Sequence, residues 1–246
     1  MMRFFCFTTI IMEDLKVLYE DNHLIAVFKP AGWLVQGDIT GDLPLVDIVK
    51  EYVKIRYKKP GDVFLGVIHR IDRPVSGVVI FARTSKGLSR MNDLFREREV
   101  KKKYWAITNT RPKDFSGTLT HWIEKDEERN MARASNSKKS SKAKQGSLSY
   151  HLNASIDNHH LIAVELHTGR PHQIRVQLSK IGMPIRGDVK YGSNKVNEDE
   201  GRIHLHAYSI EFEHPIKRVP IKIVIPPPNE QVWNKFKDHT KDFLMI

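Results

Sequence analysis

Cysteine is nearly absent from this chain: there is one, Cys6, in 246 residues. A single thiol excludes a disulfide framework, a thiolate metal site and a dithiol redox pair, and it matches a reducing compartment. Histidine is plentiful, at 12 residues, yet no HExxH and no paired Cys/His spacing occurs, and adjacent His159 and His160 would face opposite ways on a strand. No resident metal is expected. A Gly-rich phosphate loop is missing too, and no apolar run approaches the ~20 residues that cross a bilayer as a helix. The opening Met1 to Ile11 is apolar after Arg3 but short for a signal peptide, lacks a small-residue cleavage site and runs into Glu13-Asp14. Residues 1–14 are therefore expected to be a disordered tail, or the product of a start codon upstream of a true start at Met12.

Positive charge is in excess. Forty Lys and Arg stand against 29 Asp and Glu, a formal charge of +11. Such an excess suits a polyanionic partner, and nucleic acid fits better than a membrane surface because the basic residues are spread along the chain rather than gathered on one long amphipathic helix. At this length, with 40% hydrophobic residues, the chain can bury a full core.

Short strands and helices alternate without a regular βαβ rhythm, which predicts an α+β fold. Strands are expected over Leu24 to Pro30, Val63 to Ile68, Val78 to Ala82, from Tyr104, over Leu148 to Ala154, over Leu161 to Leu166, and in a last run ending near Ile225 before Pro226-Pro227-Pro228. Helical spacing covers Val46 to Tyr57, Ser85 to Arg98 with Ser85 as cap, and His172 to Ile181 with Pro171 in its first turn and Gly182 ending it. A short helix is expected around Val232 to Phe236. Residues 125–147, rich in Lys, Arg, Ser and Asn, lack apolar periodicity and read as a basic loop. Residues 15–246 are expected to form one catalytic domain.

The densest chemistry lies in His69-Arg70-Ile71-Asp72-Arg73-Pro74-Val75-Ser76-Gly77, where one carboxylate stands between two arginines at the end of an apolar run. Strand alternation would put Arg70 and Asp72 on one face, and His69, Ile71 and Arg73 on the other. Neighbouring guanidinium groups keep such a carboxylate ionised, so it could serve as a nucleophile or a general base. A structural Asp–Arg pair fixing a turn is the alternative.

Two further segments join it: Glu99-Val100-Lys101-Lys102-Lys103-Tyr104-Trp105-Ala106 and Gly169-Arg170-Pro171-His172-Gln173-Ile174-Arg175-Val176-Gln177-Leu178. In order, spacing and wording the three resemble the RluA-type pseudouridine synthase family, from about Val17 to Ile225, with Lys29-Pro30-Ala31-Gly32 and Gly187-Asp188-Val189-Lys190-Tyr191-Gly192 inside the likeness. Ile71, Pro171 and Gln177 replace the Leu, Thr and His often seen there, and none of these removes a charged participant.

The resemblance implies a mixed, mostly antiparallel sheet split by an active-site cleft, with flanking helices and loops. It implies an isomerase that converts uridine to pseudouridine in structured ribosomal or transfer RNA, without metal or organic cofactor. On the same basis Asp72 is the catalytic carboxylate, Tyr104 lies against the target base and assists proton removal at C5, Arg175 pairs with Asp72, and Arg70 fills the space left by the flipped uridine. Arg73, Lys103, Arg170, His172 and Gln173 are expected RNA contacts, and Lys138 to Lys144 a candidate clamp. The small N-terminal RNA-binding module of the S4 type found in many members is not expected, nor an obligate protein partner; a cytoplasmic monomer is. The other readings are a non-catalytic RNA-binding factor, which would have no reason to keep Asp72, Tyr104 and Arg175 together, and a metal-dependent hydrolase, for which further carboxylates near Asp72 are wanting.

Overall fold

The computed structural model describes residues 15–193 and 201–241; the expected tail over 1–14 lies outside them. The order is β1 (Val17–Glu20), β2 (Leu24–Lys29), α1 (Leu45–Arg56), β3 (Gly66–Val67), β4 (Ser76–Ala82), α2 (Ser85–Glu97), β5 (Lys101–Thr108), β6 (Ser116–Asp126), β7 (Met131–Ser135), β8 (Lys144–Ile156), β9 (His159–Leu166), α3 (Gln173–Lys180), a 3-10 turn (Val189–Tyr191), β10 (Leu205–Glu213), β11 (Pro220–Val224) and α4 (Gln231–Asn234). The described residues divide into two compact units, residues 15–100 with 211–225 and residues 101–193 and 201–210 with 226–241. The architecture is a mixed, mostly antiparallel sheet with few helices.

In the first unit β2 lies between β1 and β4, antiparallel to both. All seven residues of β4 are buried, so the strand reads as an unbroken apolar run rather than an alternation. The expected strand over Val63 to Ile68 shrinks to Gly66–Val67, paired with Phe81 and Ala82, while Phe64 is 49% exposed and residues 68–72 take no strand form. Strand alternation therefore does not govern Arg70 and Asp72. Helix α2 is capped by Thr84 rather than Ser85: Thr84 keeps extended backbone and its Oγ1 accepts from the Gly87 N–H, whereas Ser85 is already helical.

The second unit orders its strands β5-β9-β8-β6-β7, each antiparallel to the next. Its register gives the site its geometry. Tyr104 stands opposite Val164, Val164 opposite Tyr150, and Tyr150 opposite Gly117, so these share one face; Lys103, Glu165, Ser149 and Thr118 form the neighbouring row on the other. On the Tyr104 side α3 covers the sheet, with Gln177 Nε2 donating to the carbonyls of Leu119 and Gly146, and Val176 packing with Ile123, Ala132 and Tyr191. Gly146 allows this approach, since a Cβ there would stand 2.6 Å from Ile123 Cδ1 and 3.1 Å from Gln173 Cδ. Behind the sheet, Trp105 and Ile107 pack with Leu161, Ala163, Tyr208, Trp233 and Phe236.

The basic loop expected over 125–147 is only partly a loop. Strand β7 pairs with the end of β6, from Trp122 opposite Ser135 to Asp126 opposite Met131, and β8 begins at Lys144. As an edge strand of small and polar residues with one deeply buried position, Ala132, β7 carries too little apolar signal to read. Helix α3 starts at Gln173, after a turn in which Pro171 is followed by His172 in left-handed backbone (φ 52°) and the Gln173 N–H reaches the Arg170 carbonyl at 3.1 Å. Pro171 therefore precedes the helix; a proline followed by a positive φ is the pattern of a type II turn.

Helix α3 ends as the sequence suggests. Gly182, at φ +81°, and Met183 return their N–H groups to Ser179 and Leu178 at 2.9 Å each, a Schellman motif. Gly182→Ala should cost about 1–2 kcal/mol through the left-handed backbone alone, which urea unfolding followed by circular dichroism will measure; an unchanged midpoint would mean that this end of the helix relaxes without penalty.

Candidate active site

In the first unit the Asp72 loop is held from beneath. Lys29 is wholly buried, and its Nζ donates to the carbonyls of Pro30, Trp33 and Arg73 at 3.0, 2.8 and 3.0 Å. An ammonium carries three N–H groups, and each finds one acceptor. The Gly32 N–H donates to the same Arg73 carbonyl at 2.8 Å, and the Val75 N–H closes a turn onto the Asp72 carbonyl at 3.0 Å. His69 is stacked on Phe95 and accepts from the Ile80 N–H through Nε2 at 3.1 Å. Ile71 is buried, Asp72 half-buried, and Arg70 and Arg73 exposed.

The two arginines differ in what they hold. Arg73 donates through Nε to the Gly32 carbonyl at 3.0 Å and pairs with Asp42 at 2.7 Å, tying the 30–33 and 36–44 segments to the Asp72 loop. Arg70 has no hydrogen bond or ion pair among the described residues and is the loop's free cation. Burial pulls the Lys29 pKa down to about 7, with the Asp72 charge drawing it back up and Arg73 lowering it further.

In the second unit Tyr104 is buried on β5, with 8% exposure. Two residues before it and on the same face, Lys102 brings its Nζ to 3.9 Å from the place of a Cβ on Gly169, and burial lowers its pKa. Lys103, an expected RNA contact, lies on the opposite face beside Glu165; Lys102 is the lysine that shares Tyr104's side. Arg175 is buried and grips Asp188 bidentately, Nε to Oδ2 at 2.7 Å and a terminal nitrogen to Oδ1 at 2.9 Å. Its guanidinium stands 5.0 Å from the centre of the Tyr191 ring. Tyr191 is itself fixed, its hydroxyl accepting from the Ala132 N–H at 2.7 Å and meeting His172 Nδ1 at 2.6 Å.

The remaining expected RNA contacts divide by burial. Arg170 is partly exposed and donates through Nε to the Gln145 carbonyl at 3.0 Å. His172 is half-exposed and leans edge-on against Tyr191. Gln173 is a correction. At 3% exposure its Oε1 accepts from Thr168 Oγ1 and the Arg170 N–H, and its Nε2 donates to the Ser147 carbonyl. A buried amide so engaged orders the turn and cannot meet a polyanion. Lys138 lies over the Trp122 ring, and Lys139 and Lys142 are exposed. Among the described residues no group of His, Cys, Asp or Glu is placed to hold a metal ion, and no helix is long and apolar enough to cross a membrane.

Sequence reasoning missed three groups: Lys29, Asp188 and Tyr191. Each lay inside a quoted motif, and a charged residue within an apolar strand, such as Lys29 closing Leu24 to Phe28, is a signal for a buried pair or clamp.

Two outcomes follow. Removing one partner of the buried Arg175–Asp188 pair leaves a buried charge uncompensated, so Asp188→Asn should cost about 3–5 kcal/mol in urea unfolding; a loss under about 1 kcal/mol would show the pair to be solvated. For Lys29 the folded pKa of about 7 lies below the ordinary 10.5. Below pH 7 both folded and unfolded chains hold this proton, and between about 7 and 10.5 the unfolded chain holds more, so this residue's contribution to stability rises with pH in that window. The stability of the wild type relative to Lys29→Met should therefore climb from pH 7 to about 10; a flat difference would contradict the shift.

The sequence profile of the RNA pseudouridylate synthase family matches residues 23–180. The chain is 30% identical over 216 residues to a ribosomal large subunit pseudouridine synthase C of Buchnera aphidicola subsp. Baizongia pistaciae, an alignment covering 85% of this chain and 66% of that protein. It is 30% identical over 252 residues to a tRNA pseudouridine synthase C of Haemophilus ducreyi, covering 94% of this chain and 99% of that one. The chain thus spans just under two thirds of the ribosomal relative and nearly all of the tRNA relative. The solved structure of Human RNA Pseudouridylate Synthase Domain Containing 4 shares the fold, with a TM-score of 0.77 at 23% identity over 96% of each chain. With its profile match over most of the length and Asp72, Tyr104 and Arg175 in the three motif segments, the chain belongs to the RNA pseudouridylate synthase family.

Proposed function

We propose that this protein isomerises specific uridines to pseudouridine within structured RNA, ribosomal or transfer. The observation that carries this reading is the Asp72 loop: a half-buried carboxylate on backbone clamped by Lys29, next to an exposed Arg70 that has no ion pair among the described residues. The chemistry needs no net oxidant, reductant or water. The N1–C1′ bond breaks, the uracil turns while held, C5 bonds to C1′, and the proton lost from C5 is balanced by one gained at N1. Charge developing on ribose or base as the bond breaks is stabilised or trapped by the Asp72 carboxylate; attack on the ribose, attack on the base and removal of a sugar proton are all open to it. Tyr104 supplies a ring for the base and a hydroxyl for the C5 proton.

Arg175, held by Asp188 and Tyr191, is the cation assigned to Asp72. A fixed fork suits a carboxylate. Extruding a uridine from its stack costs a few kcal/mol, and Arg70 entering the vacated space, with phosphate contacts from Arg73, Arg170, His172, Lys102 and Lys103, offsets it. The +11 charge and the relatives named for ribosomal and transfer RNA support RNA as partner. The same reading places the protein in the cytoplasm, as a monomer without an obligate protein partner.

Asp72→Asn should abolish tritium release from RNA labelled at uridine C5, a loss of several powers of ten at about 1.4 kcal/mol each, while RNA affinity stays within a few fold. Turnover near the wild-type rate would overturn the assignment. Tyr104→Phe keeps the ring and removes the hydroxyl, so RNA should still bind while product formation stalls; a Phe variant as fast as wild type would make Tyr104 a packing residue.

A further inference from the structure

We infer that a groove in the first unit, beside Arg70, binds the nucleotide flanking the uridine acted on. This rests on the proposed isomerisation and adds a subsite to it. The groove has a volume of about 520 Å³, within the ~300–1,000 Å³ range of small-ligand sites. Its apolar lining comes from Val46 on α1 and from Leu65, Val67 and Ile68 on the stretch that leads into the Asp72 loop. Lys50 stands one helical turn after Val46 and joins the groove from the same face of α1. Gln36 and His69 complete it together with Arg70.

None of the lining residues is acidic, and both cations reach solvent: Arg70 is exposed and unpaired among the described residues, and the half-exposed Lys50 pairs with Asp47 at 3.2 Å. An apolar lining with cations at its edge suits a base whose face meets aliphatic side chains while its phosphates meet ammonium and guanidinium groups. Gln36 carries both a donor and an acceptor, so it can read a base edge. Position identifies the occupant. Arg70 both lines the groove and precedes Asp72 by two residues, a backbone span of at most ~7 Å, so a chain whose uridine reaches Asp72 runs past this groove with the next nucleotide. The irregular backbone over 68–72, which replaces the expected strand, puts the groove and the carboxylate on one short loop.

The test uses the full chain and deproteinised total RNA from cells lacking the gene, labelled at uridine C5. Gln36→Ala/Lys50→Ala should lower kcat/KM for tritium release about tenfold, the loss lying in KM, as expected for about one base contact; the log–log salt slope of RNA binding should fall by roughly 0.7–0.9 for the one phosphate contact of Lys50. Ultraviolet cross-linking of the wild type should place nucleotides on peptides containing Val67, Ile68 or Gln36. Val67→Trp, which fills the groove without removing charge, should reproduce the loss in KM with the salt slope unchanged. If wild type releases tritium while the double variant and Val67→Trp stay within twofold and no groove peptide is cross-linked, the subsite is wrong and the isomerase reading stands. If wild type releases none, the proposed function fails and the subsite with it.

Discussion

One buried ammonium organises the first unit. Lys29 ends β2 inside the protein, where a charge is tolerated only if its hydrogen bonds are met, and it meets them with carbonyls from three places on the chain: its neighbour Pro30, Trp33 on the following turn, and Arg73 from the Asp72 loop. Asp72 itself adds the balancing charge. The loop cannot drift without leaving an unsatisfied donor in the core, so the Asp72 carboxylate is positioned by the same bonds that make the burial of Lys29 possible. Arg73 extends the arrangement outward through Gly32 and Asp42, whereas Arg70 is exposed and makes no ion pair among the described residues.

The second unit solves the same problem with an ion pair. Arg175 emerges from the first turn of α3 and is oriented by Asp188, whose own segment is closed by backbone bonds from Tyr191 and Ser193 to its carbonyl. Tyr191 then links the guanidinium, the His172 turn and the edge strand β7. A buried pair of this kind adds little net stability over an apolar substitute and serves by fixing geometry. Placing Tyr104 and α3 on the same face of one sheet, through the register of β5, β9, β8 and β6, completes the unit's contribution.

Much of this was legible in the residues. The buried strands β2, β4 and β9 and the helices α1 to α3 follow from apolar runs and periodicity, and Gly182 marked its helix end. Edge strand β7 escaped because Met131-Ala132-Arg133-Ala134-Ser135 buries too little to leave a pattern. The strand expected before Asp72 was an apolar run without partners for most of its length, and a run of hydrophobic residues alone does not provide a ladder. For the site, Asp72, Tyr104 and Arg175 stood out by motif, whereas Lys29 and Asp188 were hidden because their role is set by carbonyls and side chains distant in sequence. Gln173 went wrong because proximity along the chain says nothing of burial, which the turn before α3 assigns.

The most direct measurement is carbodiimide-based pseudouridine mapping of total RNA from cells with the gene, without it, and without it but supplied with wild type or Asp72→Asn. A uridine isomerase predicts one or a few modified positions in ribosomal or transfer RNA that vanish on deletion, return with wild type and stay absent with Asp72→Asn. Identical maps with and without the gene, or restoration by Asp72→Asn, would contradict it.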